Sequence, residues 1–145
     1  MAVSNIEIFN DLTGRILAEL YLNFPMPSYL GAGAFVESAM QMSEQHGMEV
    51  PTKDAEFFIA TSEWLIRAGY IHGDVSRYTY VSEAVLTAKG LEVLNAIPQS
   101  LTSGPSLGEQ LADAAKGGGK ETLKALVTEV LGIGARLISP IMGIP

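Results

Sequence analysis

Phe9, Leu12, Ile16 and Leu20 recur at steps of three and four, and Leu17, Tyr21 and Phe24 widen the same face. That period predicts a helix over residues 6–24. The Pro-Met-Pro run at 25–27 ends it, because proline lacks an amide donor and biases its predecessor away from helical angles. Residues 28–30 read as a short strand. Phe35, Val36, Ala39 and Met40 then predict a second helix over 34–46, with Gly47 as its stop. A third helix opens near Thr52 or Asp54, either of which can cap it. Asp54 and Glu56 sit in its first turn, where the helix dipole favours negative charge. It closes at Gly69, just after Arg67.

The pattern changes after Gly69. Tyr70, Ile71, Tyr78 and Tyr80 are residues that suit a paired strand, and Gly-Asp-Val-Ser at 73–76 has turn chemistry. A two-stranded ribbon from about 70 to 86 is expected. Thr87 then caps a fourth helix over 88–97, which Pro98 stops. A Pro/Gly/Ser connector follows. Ser106-Leu107-Gly108-Glu109 has the spacing of a capping box, so a short helix should begin there. Three glycines at 117–119 interrupt it before a last helix over 120–138. The chain thus divides into a domain at 1–98 and a linker with a helical extension at 99–145.

In that last helix Leu123, Val127, Val130, Gly134, Leu137 and Ile141 fall at alternating steps of four and three. This is the spacing of a heptad seam. Two occupants fit it: the chain's own first domain, or a second copy. The flexible connector favours the second, which predicts a homodimer.

Charge alters the functional picture more than it alters the fold. The chain of 145 residues carries a net charge of −7, all of it on residues 1–98, while 99–145 balance four cations against four anions. There is no cysteine, so disulfides and thiolate chemistry are excluded. The N-terminus lacks the basic start and apolar run of a secretory signal, and the apolar C-terminal stretch is broken by Lys124, Glu129, Arg136 and Pro140. A cytoplasmic protein with no membrane span is expected.

The order of helix, strand, helix, turn, helix, ribbon, helix resembles a winged helix-turn-helix domain over residues 6–97. Glu-Trp-Leu-Ile-Arg-Ala-Gly-Tyr-Ile at 63–71 resembles the third helix of such domains running into the wing. Val-Leu-Thr-Ala-Lys-Gly-Leu-Glu-Val-Leu at 85–94 is similar to the step from wing to helix in regulators of the MarR and PadR type. The resemblance implies a mainly α fold with a small β-ribbon, extended by C-terminal helices. It also implies a third helix that could read DNA, with the wing beside it.

Each candidate site is weighed against that implication. On the third helix Trp64, Phe57 and Phe58 read as core packing, and Phe57, Thr61, Trp64, Leu65 and Ala68 share one face, with Ile59 and Ile66 on its shoulder. The opposite stripe is Glu56, Ala60, Glu63 and Arg67, and the wing offers His72, Arg77 and Tyr78. Nucleic-acid affinity comes mostly from Lys and Arg on phosphates. Two carboxylates and one guanidinium make a poor groove reader, so protein contacts are favoured over DNA. The glycine-rich runs at 31–36 and 117–122 each lack residues a phosphate or dinucleotide loop requires. His72 beside Asp74 falls short of a metal set. The expectation is a non-catalytic interaction module without cofactor or metal, and a DNA-binding regulator is the alternative.

Overall fold

The structure is a computed structural model and describes residues 4–76, 79–96, 104–117 and 119–142. Its first helix, α1 at Asn5–Asn23, starts on a capping box: the Ser4 hydroxyl accepts from the Glu7 amide while the Glu7 carboxylate accepts from the Ser4 amide. Ser-Asn-Ile-Glu carries that signal in the sequence, one turn before the apolar period becomes visible. Strand β1, Ser28–Gly31, follows the proline break.

The helix expected over 34–46 does not form. One 3-10 turn at Ala32–Ala34 leads instead to an antiparallel hairpin of β2, Met40–Ser43, and β3, Met48–Pro51. Four carbonyls that a helix would use internally are engaged from outside. Arg15 donates to the Ala34 and Phe35 carbonyls at 3.1 and 2.8 Å. Thr52 donates its hydroxyl to the Ser38 carbonyl and its amide to that of Ala39. At the tip, the Ser43 hydroxyl accepts from the His46 amide, and Gly47 takes a left-handed φ of 66°. Gly47 is a hairpin turn residue, not a helix stop.

Thr52 caps α2, Lys53–Arg67, by accepting from the Ala55 amide. At its other end Gly69 donates to Ile66 and Tyr70 to Leu65, with Gly69 left-handed at φ 87°. This is the glycine-dependent helix ending that satisfies the last carbonyls. Strands β4, Ile71–Val75, and β5, Tyr80–Leu86, pair antiparallel, and β1 joins them in the order β1-β5-β4. The expected ribbon is therefore present, backed on one edge by a third strand.

The residues Thr87, Lys89 and Gly90 then lock α3, Ala88–Asn95, to the end of α2. The Thr87 hydroxyl donates to the Gly69 and Tyr70 carbonyls and accepts from the Gly90 amide. Lys89 donates to the Ala68 carbonyl, its ammonium 4.3 Å from the Tyr70 ring centre. Gly90 lies so close to the Tyr70 carbonyl that no side chain would fit between them. The Thr-Ala-Lys-Gly stretch is thus a clamp on the helix–ribbon junction.

The last two helices are α4, Leu107–Gly117, and α5, Lys120–Met142, which runs past the expected end at 138. The Ser106–Glu109 capping box is made. Both helices fold back on α1. Gly14 on α1 leaves the space that the Leu123 and Val127 side chains occupy, and Gly108 on α4 does the same for the Tyr21 ring. One apolar core therefore runs from Leu12, Ile16 and Leu20 through Phe58 and Ile71 to Val127 and Val130. The protein is mainly helical with two small antiparallel sheets. No described helix is long and apolar enough to cross a membrane.

Candidate interaction surface

The seam on α5 is filled from within the chain. Leu123, Val127, Val130 and Gly134 are buried, Leu137 is half-buried, and Gly134 sits against the Tyr70 ring. The side chain of Ile141 lies outside the described residues. Burying a Val or Leu side chain contributes roughly 1.5–3 kcal/mol relative to exposure. Offering this seam to a second chain would therefore strip α1 and Tyr70 of their cover. The first of the two occupants, the chain itself, is the one the structure shows.

Helix α2 presents the expected stripe to solvent: Glu56, Ala60, Glu63 and Arg67 are all exposed. Its inner face is turned relative to the expectation. Thr61 and Leu65 are buried as foreseen, but Phe57 is half-buried and Trp64 is 40% exposed. Phe58 is buried as expected, and Ile59 and Ser62 take the remaining inner positions. Burying Ser62 is tolerable because its hydroxyl donates to the Phe58 carbonyl one turn back. Phe58 stacks on Phe35, 5.1 Å between ring centres, and that contact draws the helix round. Trp64 is left at the margin, edge-on to Phe9 and stacked on Tyr70. Ile59, expected on the shoulder of the core face, lies in the chain's own core.

The cations matter most for a nucleic-acid surface, and several are held elsewhere. Arg15 binds two backbone carbonyls, approaches Asp11 at 3.4 Å and lies over the Phe35 ring. Lys89 is held by the Ala68 carbonyl and the Tyr70 ring, and burial lowers its pKa below the usual lysine value. Arg77 and Tyr78 lie outside the described residues. Lys53 and Arg67 remain on α2, at opposite ends of a 15-residue helix, which separates them by about 21 Å of axis. Glu56 and Glu63 stand between them. His72 is exposed on β4, across the sheet from Val85. No family model matches the chain, and no curated protein or solved structure does either. The surface has to be read from its own chemistry.

Two features escaped the sequence pattern. One is a cleft of about 610 Å³ between the first turns of α1, α2 and α5, with Ile8, Phe35 and Phe57 in its lining. Glu37 and Lys53, which flank the hairpin on either side, also line it. The other is the hairpin itself, where Met42 and Met48 are 68% and 60% exposed and Met40 is also open to solvent. Neither strand contains a buried residue. An apolar face counted at helical steps hides such residues, since the same positions read as core.

Proposed function

We propose that this chain is a non-catalytic module of winged-helix type that acts through protein contacts. The element order supports the winged-helix part: α2 leads directly into an antiparallel ribbon, and β1 completes a three-stranded sheet beside it. A helix-turn-helix in the strict sense needs a helix before α2, and a hairpin occupies that place. The observation that carries the protein-contact reading is the surface of α2. It is exposed, acidic between its two distant cations, and bordered by the half-open ring of Trp64. Groove binding requires phosphate neutralisation along one continuous face. Here two of the candidate cations are already bound to backbone carbonyls. Self-association forms no part of the proposal, because the α5 seam is occupied within the chain.

The test is fluorescence anisotropy of a labelled random duplex, titrated with the full chain at low ionic strength. No salt-sensitive binding is expected. Binding that weakens steeply with added salt would overturn the proposal in favour of a DNA-binding regulator. Glu56→Lys with Glu63→Lys completes the test: a surface built for protein contacts loses its partner, while a weak DNA reader binds duplex better.

A further inference from the structure

The β2–β3 hairpin stands apart from every other element of the fold. It touches the rest of the molecule chiefly through β3 against α2, and both of its faces meet solvent. Register places Met42 opposite Glu49 and Ser43 opposite Met48. Met40 and Met42 therefore share one face with Glu49, while Met48 projects from the other. Around the tip this puts unbranched, polarisable side chains on both sides of a short turn. Methionine adapts its shape to whatever apolar surface meets it, which is why it recurs on surfaces that bind varied partners. Solvated methionines with no packing role are otherwise an unfavourable exposure.

The charged side chains on the hairpin and on the approach to it from residue 16 are all carboxylates, and Lys53 is the first cation beyond its end. No Lys or Arg occurs between Arg15 and Lys53, and that stretch contains Glu19, Glu37, Glu44 and Glu49. Glu37, Glu44 and Glu49 bracket the hairpin, and all three are exposed. A second copy of the chain is a poor occupant, because it brings the same carboxylates and a net charge of −7. A segment with an apolar face and flanking Lys or Arg fits both features at once. Resting on the protein-contact reading above, we infer that the hairpin's methionines and carboxylates dock a basic amphipathic helix of a partner protein. Met40 and Met42, on one face of the hairpin, bury against its apolar face while Glu37, Glu44 and Glu49 meet its cations.

The experiment titrates the full chain with a designed Leu/Lys amphipathic peptide of about five helical turns, and with its Leu/Glu counterpart of identical pattern. Methyl NMR of the methionines reports the site, with Met26 as the control away from the hairpin. The Leu/Lys peptide is expected to bind and to shift the Met40 and Met42 methyls more than that of Met48, which projects from the opposite face. Met40→Ser with Met42→Ser leaves every charge in place and touches no core, and circular dichroism verifies the fold. That double variant should weaken binding by about tenfold or more, and Glu44→Lys with Glu49→Lys should weaken it as well. Undiminished binding by the serine variant overturns the proposal, because attraction to an acidic protein alone would explain it. So do absence of binding, equal binding of the Leu/Glu peptide, and hairpin methyl shifts on dilution without peptide, which would assign the surface to a second copy. Any of these together with no duplex binding leaves the protein-contact reading intact. Duplex binding would end both.

Discussion

Two antiparallel hairpins of similar length have opposite fates in this molecule. In β4–β5, Ile71, Val81, Ala84 and Leu86 are buried, β1 pairs along one edge, and α3 is clamped to the exit. In β2–β3 no residue is buried and no third strand is added. An isolated two-stranded hairpin is at best marginally stable in water. The first is held by what lies behind it. The second is held by its turn and by Thr52 at its root. The difference teaches that pairing alone says little about role: the ribbon is part of the scaffold, and the hairpin is free to make contacts of its own.

The largest expected effect tests that contrast through side-chain deletion. Ile71→Ala removes a fully buried side chain from the ribbon and should cost about 2–5 kcal/mol in urea unfolding. Met42→Ala on the hairpin should stay within about 0.5 kcal/mol. Comparable losses at both sites would erase the distinction and place the hairpin in the core's cooperative unit. Hydrogen exchange gives a parallel reading, with hairpin amides exchanging by local opening and ribbon amides only near the global limit.

A second test uses space instead of burial. A Cβ at Gly90 would run into the Tyr70 carbonyl, which already accepts from the Thr87 amide and hydroxyl and so cannot move aside. Gly90→Ala should cost roughly 1–3 kcal/mol. At Gly33, ahead of the hairpin, a Cβ would meet nothing within 4 Å. Gly33→Ala is expected to be close to neutral by the same measurement.

How legible these regions were follows from where their signals lie. The ribbon announces itself locally: Gly69 ends a helix, β-forming residues follow, and Thr87 caps the next helix three residues before Gly90. The clamp itself spans as far, 21 positions from Lys89 to the Ala68 carbonyl, but the helix ending, the strand residues and the cap mark the junction without it. The hairpin depends on Arg15, which lies 19 and 20 positions from the carbonyls it captures. Phe35, Val36, Ala39 and Met40 fit a helical period, and nothing local opposes it. The same holds for α5: its seam was visible, but a heptad pattern is silent on whether its partner belongs to the same chain. Gly14 and Gly108, the small residues that admit Leu123 and Tyr21, are the signals that favour folding back. Trp64 fits the helical period of the core face yet lies at its margin, because Ser62 can be buried in its place once its hydroxyl bonds to the Phe58 carbonyl.

Backbone conformation sharpens the comparison further. Among the described residues each hairpin carries one left-handed residue, Gly47 at φ 66° in β2–β3 and Glu83 at φ 54° within β5. Glycine adopts that region without penalty, while a side chain there costs on the order of 1 kcal/mol. Glu83 lies where register slips between His72 and Asp74 across the ribbon, so two β5 residues face Gly73. Glu83→Gly should therefore stabilise the protein by up to about 1 kcal/mol, less the extra chain entropy that glycine releases on unfolding. Gly47→Ala should destabilise by a similar amount. Opposite signs at the two positions are expected, and like signs would show that the bulge is maintained by contacts of the Glu83 side chain.

The smallest effect is confined to alkaline pH and to the ribbon's root. Tyr70 is 3% exposed beneath Lys89 and Gly134, and burial raises its phenol above the ordinary value of 10.0. The unfolded chain ionises first as pH rises past that value, and it then binds fewer protons than the folded one. Stability from keeping Tyr70 neutral is complete below pH 10 and is lost progressively as pH climbs toward the raised folded value. Lys89 titrates nearby with the opposite sign, since its lowered pKa relieves a buried charge as pH rises. Tyr70→Phe separates the two. At pH 7 it should change stability by less than about 1 kcal/mol, because among the described residues the phenol oxygen has no hydrogen bond to lose and the ring contacts with Trp64 and Lys89 remain. Above pH 10 the variant's melting temperature should fall less than that of the original chain. Parallel melting curves from pH 9 to 11 would mean that Tyr70 meets solvent at its ring edge, and that the junction holding the ribbon is as open as the hairpin.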